Sequence, residues 1–296
     1  MQQNDQKQEH TKSWYAATVN EVTDYPELQG TESADICVVG GGFSGVSTAL
    51  TLAERGYSVA LVEANRIGWG ASGRNGGQLI HGGCGLDKLL KKHGDSIADA
   101  VWEMKWRGND IIRERVKKYA IDCDLKDGWA EVAVKPRQVE WLHEYAEDRK
   151  AHNAPATWEI WDREETRENL GTDAFHGTFI CYRDGHLHPL NLCIGEARAA
   201  HGLGVRIFEQ SPVIDIEHGP RPKVKTANGS IQANSLILCG NAYSHFEGLK
   251  NLVFPAGSYV IATEPLGDEV VQRINKKDIS VCDLNEVVDY YRMSSD

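Results

Sequence analysis

Ile36-Cys37-Val38-Val39 is a short unbroken apolar run, the pattern of a strand buried on both faces. Three glycines interrupt it at 40–42. Apolar residues then recur at Phe43, Val46, Ala49, Leu50 and Ala53, which predicts a helix over 43–55 with Gly56 as its left-handed stop. Tyr57 to Val62 reads as a second buried strand. Strand, helix and strand in such quick succession make a βαβ unit, hence a parallel pair with a right-handed crossover.

Further along, the pattern predicts a helix over 95–119, either continuous or broken near Gly108, and a half-buried strand over 129–134. A helix follows over 137–150, then a short strand and a helical turn within 158–170. Another helix covers 190–201 and is ended by Gly202 and Gly204. A strand at 205–208, a hairpin of 213–217 with 223–226, and a buried strand over 231–239 come next. Residues 258–263 alternate like a strand, and 289–292 look like the start of another. Residues 1–33 have no clear period and read as an arm.

Lys plus Arg number 32 and Asp plus Glu 43, so the formal net charge is −11. A phosphate backbone is held by clustered cations, so nucleic acid is excluded as a partner; the one basic cluster, Lys91-Lys92-His93, is too short to alter this. The longest apolar runs fall far short of the ~20 residues that span a bilayer. The polar start MQQNDQKQEH is not a secretory signal. Seven cysteines occur without a C-x-x-C pair and read as reduced thiols, which points to the cytoplasm.

Two motifs carry chemistry. Gly40-Gly41-Gly42-Phe43-Ser44-Gly45 fits G-x-G-x-x-G and sits between a predicted strand and a predicted helix. Gly40 permits the tight turn, Gly42 lets a pyrophosphate approach the backbone, and Gly45 lets the helix pack close to the strand. The helix N-terminus then offers N–H groups to phosphate. Glu63 ends the second strand, where a carboxylate accepts hydrogen bonds from ribose hydroxyls. The plain alternatives are a glycine turn without ligand and a solvated carboxylate. The stretch Gly68 to Gly77 is too rich in glycine, with Ser72, Arg74 and Asn75 among them, for a simple nicotinamide domain. It suits a phosphate and a ribityl chain.

GGGFSG, LAERGYSVALVEA and RIGWGASGRNGGQ together resemble the FAD-dependent D-amino-acid-oxidase superfamily, and within it the gamma-glutamylputrescine oxidoreductase group. DGHLHPLNLCIGEARAA, VRIFEQSPV, LILCGNAYS and FPAGSYVIATEPLG extend the likeness over residues 13 to 296. The resemblance implies an α/β fold: a Rossmann-like FAD-binding domain (34–90 and 175–245) interleaved with a mostly antiparallel substrate domain (91–174 and 246–296). It implies FAD, held non-covalently because Arg74 stands where some relatives carry a linking His. Gly40, Gly42, Phe43, Ser44, Gly45 and Glu63 would hold its ADP part. Ala71, Ser72, Arg74, Asn75, Gly76, Gly77 and Gln78 would line the flavin side, Val213 would meet adenine through its backbone, and Gly240 would lie beside the cofactor.

The implied reaction oxidises the C–N bond of a small amine, gamma-glutamylputrescine being the named expectation, to an imine and then aldehyde plus ammonia, with O2 reduced to H2O2. Another amine or an amino acid, a nicotinamide-dependent dehydrogenase, and a non-catalytic remnant are the rival readings. The family continues for a long further segment, so the chain reads as shortened at its C-terminus. Tyr259, Tyr291, Arg292 and His188 are candidates to face substrate, with sheet packing as the plain alternative. His186 and His188 have the spacing of one strand face but lack further ligands for a metal. Trp102 and Trp106 read as helix-face packing and Cys84 as a buried thiol.

Overall fold

The computed structural model describes residues 8–81, 95–151, 158–243, 254 and 256–295. Cys84 and the Lys91–His93 cluster lie outside the described residues. In chain order the elements are α1 (Trp14–Ala17), β1 (Gly30–Val39), α2 (Phe43–Glu54), β2 (Val59–Val62), β3 (Gln78–Leu79), α3 (Asp95–Lys118), β4 (Lys126–Val132), α4 (Gln138–Ala151), β5 (Trp158–Trp161), α5 (Arg163–Leu170), β6 (Thr178–His186), α6 (Pro189–Gly202), β7 (Arg206–Phe208), β8 (Asp215–Glu217), β9 (Lys223–Lys225), β10 (Gly229–Leu238), α7 (Asp268–Ile274), β11 (Ser280–Asp283) and β12 (Tyr290–Tyr291).

The chain divides into two compact units. The first takes residues 1–75, 118–123 and 189–261, and the second 76–117, 124–188 and 262–296. In the first, six strands run in the order β7-β2-β1-β10-β9-β8, with the first four parallel and the last two antiparallel. The apolar run at 36–39 is buried from both sides, as its unbroken pattern requires. Ile36 and Val38 face Ala49 and Leu50 of α2 and Ile194 and Ala197 of α6, while Cys37 and Val39 join Phe208, Val224 and Ile231 on the opposite face. β1 is longer than its apolar run, because polar Gly30 to Ala34 continue the ladder by pairing with Gly229 to Ala233. Main-chain bonds do not depend on side-chain polarity, so the run marks only the doubly covered half.

The second unit holds a sheet ordered β12-β11-β4-β6-β3, with β5 also on β6. All pairings are antiparallel except β11 on β4. α3 and α4 cover one face through Trp106, Leu142 and Ala146 against Phe179 and Cys181. Ala130, Val132, Ile180, Ile279 and Val281 fill the other. α5 starts with a reciprocal cap: Asp162 accepts from the Glu165 backbone N–H at 2.9 Å, and Glu165 accepts from that of Asp162 at 3.0 Å.

Several sequence expectations change here. Residues 258–263 form no strand, and Tyr259 is 91% exposed. Alternation selects a face to bury only where a neighbouring strand supplies ladder bonds, and no strand pairs with this stretch among the described residues. α3 takes the continuous one of the two expected forms, a single helix across Gly108. β6, the central strand of the second sheet, has no clean period in sequence: TFIC is continuous and RDGH is polar. Its end at His186 leaves His188 beyond the strand, so the two histidines do not share a strand face. By compactness, 76–81 and 175–188 group with the second unit, where β3 and β6 are partners in the sheet.

One buried carboxylate ties the arm into the first unit. Glu209 is fully buried. It accepts from the Thr23 hydroxyl, from the backbone N–H of Ile67 at 2.7 Å and of Tyr25 at 3.1 Å, and from Arg66 Nη1 at 3.0 Å. Glu209→Ala strands those donors, so the unfolding free energy should fall by about 3–5 kcal/mol in urea titrations monitored by tryptophan fluorescence.

Candidate functional site

The carboxyl ends of β1 and β10 lie side by side, with Val39 opposite Leu238. β2 flanks β1 on one side and β10 on the other, so the strand order reverses here. A crevice at such a reversal is where open parallel sheets bind ligands. Gly40 follows with φ +109, a conformation that L side chains rarely adopt, and a Cβ there would stand 2.6 Å from the Cys239 carbonyl oxygen. A Cβ on Gly45 would fall onto the Gly40 carbonyl oxygen. The first turn of α2 therefore packs directly on the end of β1. Gly42 is the N-cap of α2 and gives no side-chain cap. Ser72 Oγ substitutes from a distance, accepting from the Phe43 N–H at 2.9 Å, and would be 2.8 Å from a Cβ at Gly42. Ser44 is exposed in that first turn. A bare helix N-terminus beside a glycine turn, with one hydroxyl over it, is a pyrophosphate cradle.

Glu63 follows the end of β2. Its carboxylate accepts from the Gly41 N–H at 2.6 Å and the Asn65 N–H at 2.9 Å. Burial raises its pKa above the ordinary carboxylate value, opposed by these two N–H groups. The Ser211 N–H donates to the Glu63 carbonyl at 2.9 Å, which brings the segment carrying Val213 back to β2, and Val213 packs in the core on that side. Gly240 accepts from the Tyr243 N–H at 3.0 Å. The Arg74 guanidinium lies 4.8 Å over the Trp69 ring and donates to Tyr243 Oη at 3.3 Å. Asn75 Nδ2 donates to the carbonyls of Ala71 at 3.1 Å and Ser72 at 2.9 Å, closing the short helical turn that presents Ser72.

The rest of the glycine-rich stretch belongs to the second unit. A Cβ on Gly76 would strike the Tyr290 ring, and one on Gly77 would stand 2.8 Å from Arg292 Nε. Arg292 Nε also donates to the Gly76 carbonyl at 3.1 Å. Tyr290, which sequence reasoning passed over, thus shares with Arg292 the side of β12 that meets the loop. Tyr291 alternates to the other side. Gln78 starts β3 opposite His186, and its Nε2 is buried without a hydrogen-bond partner among the described residues. His188, just after β6 in the chain, is buried. Tyr259 falls in the first unit, outside any strand.

Sequence reasoning also missed a buried cluster in the second unit. Asp184 accepts from the His81 backbone N–H at 2.9 Å and from Asn109 Nδ2 at 2.9 Å, and is 2.5 Å from His81 Nδ1. The His81 ring stacks on Trp106 at 4.0 Å. Cys181 adds a thiol, the three ligand atoms lying within 4.8 Å of one another. The His81–Asp184 pairing accounts for the burial of both groups without an ion. Only the distant spacing 81, 106, 109, 184 connects these residues, and that leaves no local motif.

Residues 35–296 match the family model described as FAD dependent oxidoreductase, DAO. The chain belongs to that family. It is 41% identical over 98% of its length to the "Probable oxidoreductase OrdL" of Haemophilus influenzae, covering 69% of that protein. It is 39% identical over 97% of its length to the gamma-glutamylputrescine oxidoreductase of Escherichia coli, covering 68% of it. Among solved structures, L-amino acid deaminase from Proteus myxofaciens superposes with a TM-score of 0.64 at 22% identity, over 76% of this chain and 49% of that one. Glycine oxidase from Geobacillus kaustophilus gives 0.58 at 22% identity, over 74% and 58%. These two share the fold, and the chain spans about half their length. The family's cofactor is FAD, and the first unit offers residues that fit it: a helix N-terminus with no cap of its own and glycines at 40 and 42 that leave the backbone open to a pyrophosphate. No described helix is long and apolar enough to cross a membrane.

Gly45→Ala should abolish FAD uptake, read as loss of bound flavin absorbance after reconstitution, since the added methyl meets backbone that cannot move aside. Glu63 gives a pH signature in the cofactor-free protein. Its folded pKa is raised, so its contribution is complete below the unfolded value and is lost as pH rises through the folded one. Compared with Glu63→Gln, the wild-type urea midpoint should decline over that window.

Proposed function

We propose that the chain uses FAD to oxidise the C–N bond of a primary amine, with gamma-glutamylputrescine as substrate. The net change is amine plus O2 plus water to aldehyde, ammonia and H2O2. The 39% identity to gamma-glutamylputrescine oxidoreductase across 97% of the chain carries this reading. FAD supplies the two-electron acceptor. The protein supplies position and field.

Each residue then has a physical task. Gly40, Gly42, Gly45 and the first turn of α2 bind the pyrophosphate, with Phe43 and Ser44 opening that turn. Ser72 has its lone pair engaged by Phe43 and a hydroxyl proton to give to phosphate. Glu63 accepts from ribose. Ala71, Arg74 and Asn75 shape the loop beyond, and Gly240 and the Val213 backbone border the adenosine side. Gly76 and Gly77 allow close backbone approach and Gln78 donates at the flavin. Tyr290, Tyr291, Arg292 and His188 are the polar side chains of the second unit assigned to substrate. Arg292 is already held by the Gly76 and Met293 carbonyls, so it acts as a fixed charge. The mostly buried cysteines among the described residues support a cytoplasmic site of action.

Anaerobic addition of gamma-glutamylputrescine to the FAD-loaded chain should bleach the flavin bands, and air should restore them with peroxide and ammonia released. A flavin that stays oxidised with this amine but bleaches with glycine or another amino acid would replace the substrate. No bleaching with any amine or amino acid would refute the activity.

A further inference from the structure

The loop that carries Ser72 and Arg74 runs from the end of β2 to residue 74 with a single short helical turn at Ala71–Gly73. A segment with so few helix or ladder bonds takes its shape from what it touches. Its inner side is tied to the glycine turn, where the Gly68 N–H donates to the Gly41 carbonyl at 2.9 Å and Ser72 Oγ accepts from Phe43. Its outer side is tied to the N-terminal arm. Arg66 grips the Glu9 carboxylate with two N–H groups, Nε to Oε2 at 2.9 Å and Nη2 to Oε1 at 2.8 Å. Trp69 Nε1 donates to the Glu9 carbonyl at 3.1 Å, and the Gln8 N–H donates to Asn65 Oδ1 at 3.1 Å. All of these groups belong to the first unit.

The residues that the arm holds lead directly to those of the cofactor site. Asn65, engaged by Gln8 through its side chain, donates its own N–H to Glu63 Oε1 at 2.9 Å. Trp69, engaged by Glu9, lies under the Arg74 guanidinium and meets the Tyr243 ring edge-on at 5.6 Å, and Arg74 in turn donates to Tyr243. His10 follows in the arm; burial lowers its pKa, and the charges of Glu209, Glu9, Arg66 and Arg74 all act on it. Simple coverage of apolar surface is left to other parts of the arm, since Trp14, Tyr15 and Val19 are the residues that join the core with α2 and α6. A loop clasped from two sides couples them: whatever orders its inner side lowers the entropy cost of docking on its outer side.

We propose that Gln8 and Glu9 are positioning residues of the cofactor site, clasping the 64–74 loop from outside so that arm docking and FAD binding strengthen each other. The inference rests on the reading that FAD occupies the crevice at the glycine turn, and not on which amine is oxidised.

The test uses the full chain and needs no substrate. FAD affinity is read from the quenching of flavin fluorescence. Arm release is read from trypsin cleavage after the exposed Lys12, seen by mass as loss of residues 1–12, with the cut at exposed Lys277 as reference. Saturating FAD should slow the Lys12 cut about tenfold relative to the Lys277 cut, and deleting residues 1–12 should raise the FAD dissociation constant by that same factor, because coupling is reciprocal. Glu9→Gln keeps an acceptor and removes the charge, and should raise the dissociation constant about threefold. The Glu9 side chain is 67% exposed, so about 1 M NaCl should close the gap between this variant and wild type. Trp69→Phe keeps a ring under Arg74 and removes the N–H given to Glu9, and should speed the Lys12 cut in the presence of FAD. A shortened chain that binds FAD as tightly as the full one, or a Lys12 cut equally fast with and without FAD, would overturn the proposal and leave the arm as packing. If the shortened chain does not fold, Glu9→Gln and Trp69→Phe both matching wild type in affinity and cleavage would overturn it equally. A wild-type chain that takes up no FAD would overturn the cofactor reading first, and the proposal with it.

Discussion

The approach of α2 to the carbonyl of Gly40 is the constraint from which the first unit follows. A helix whose first turn touches the end of its preceding strand leaves no room for a side chain at residue 45, and it forces a positive φ at residue 40. The same closeness puts the N–H groups of that turn at the carboxyl edge of the sheet, between β1 and β10. Ser72 and Glu63 are then drawn in by the groups exposed there. One satisfies the Phe43 N–H and the other the Gly41 N–H. The nucleotide site is thus a by-product of tight helix–strand packing whose loose hydrogen bonds are collected by neighbouring loops.

Local patterns made the first unit readable. The βαβ unit, the stop at Gly56 and the hairpin of β8 with β9 each depend on residues close in sequence, and the G-x-G-x-x-G motif fixes where they lead. The second unit was less legible because its sheet is made of strands distant in sequence, joined by pairings that leave no periodic mark. β6 carries both covered and polar stretches and so satisfies no single template. The 258–263 stretch shows the reverse error, since its alternation is real but lacks the neighbour that would make it a strand. In the site, the glycines and Glu63 were readable because their roles are dictated by backbone geometry. Tyr290 and the His81–Asp184 pair were not, since each acts through a partner at least seventy residues away in the chain.

Buried polar groups fall into two kinds in this molecule. Glu209 and Asp184 each collect three or more hydrogen bonds from the protein, and such groups hold segments in register. Gln78, Asn109, His186 and Gln210 are different, each bonded at one end and without a partner among the described residues at the other. A fully bonded group resists change because every neighbour would lose a partner. A half-bonded one has its orientation set by the protein and its remaining valence set aside.

The glycine-rich stretch crosses from one unit to the other at the Asn75–Gly76 bond, and this has a consequence for specialisation. The residues before it close around the first turn of α2 through backbone approach and hydrogen bonds, so their constraints are those of shape. The residues after it sit on the second sheet, whose side chains come from β3, β11 and β12. Side chains there answer to the packing of that sheet and not to the backbone contacts of α2. Glycine oxidase and L-amino acid deaminase each share the fold with this chain at only 22% identity, so the fold does not depend on most side chains, as expected where close backbone approaches such as that at Gly45 set the geometry.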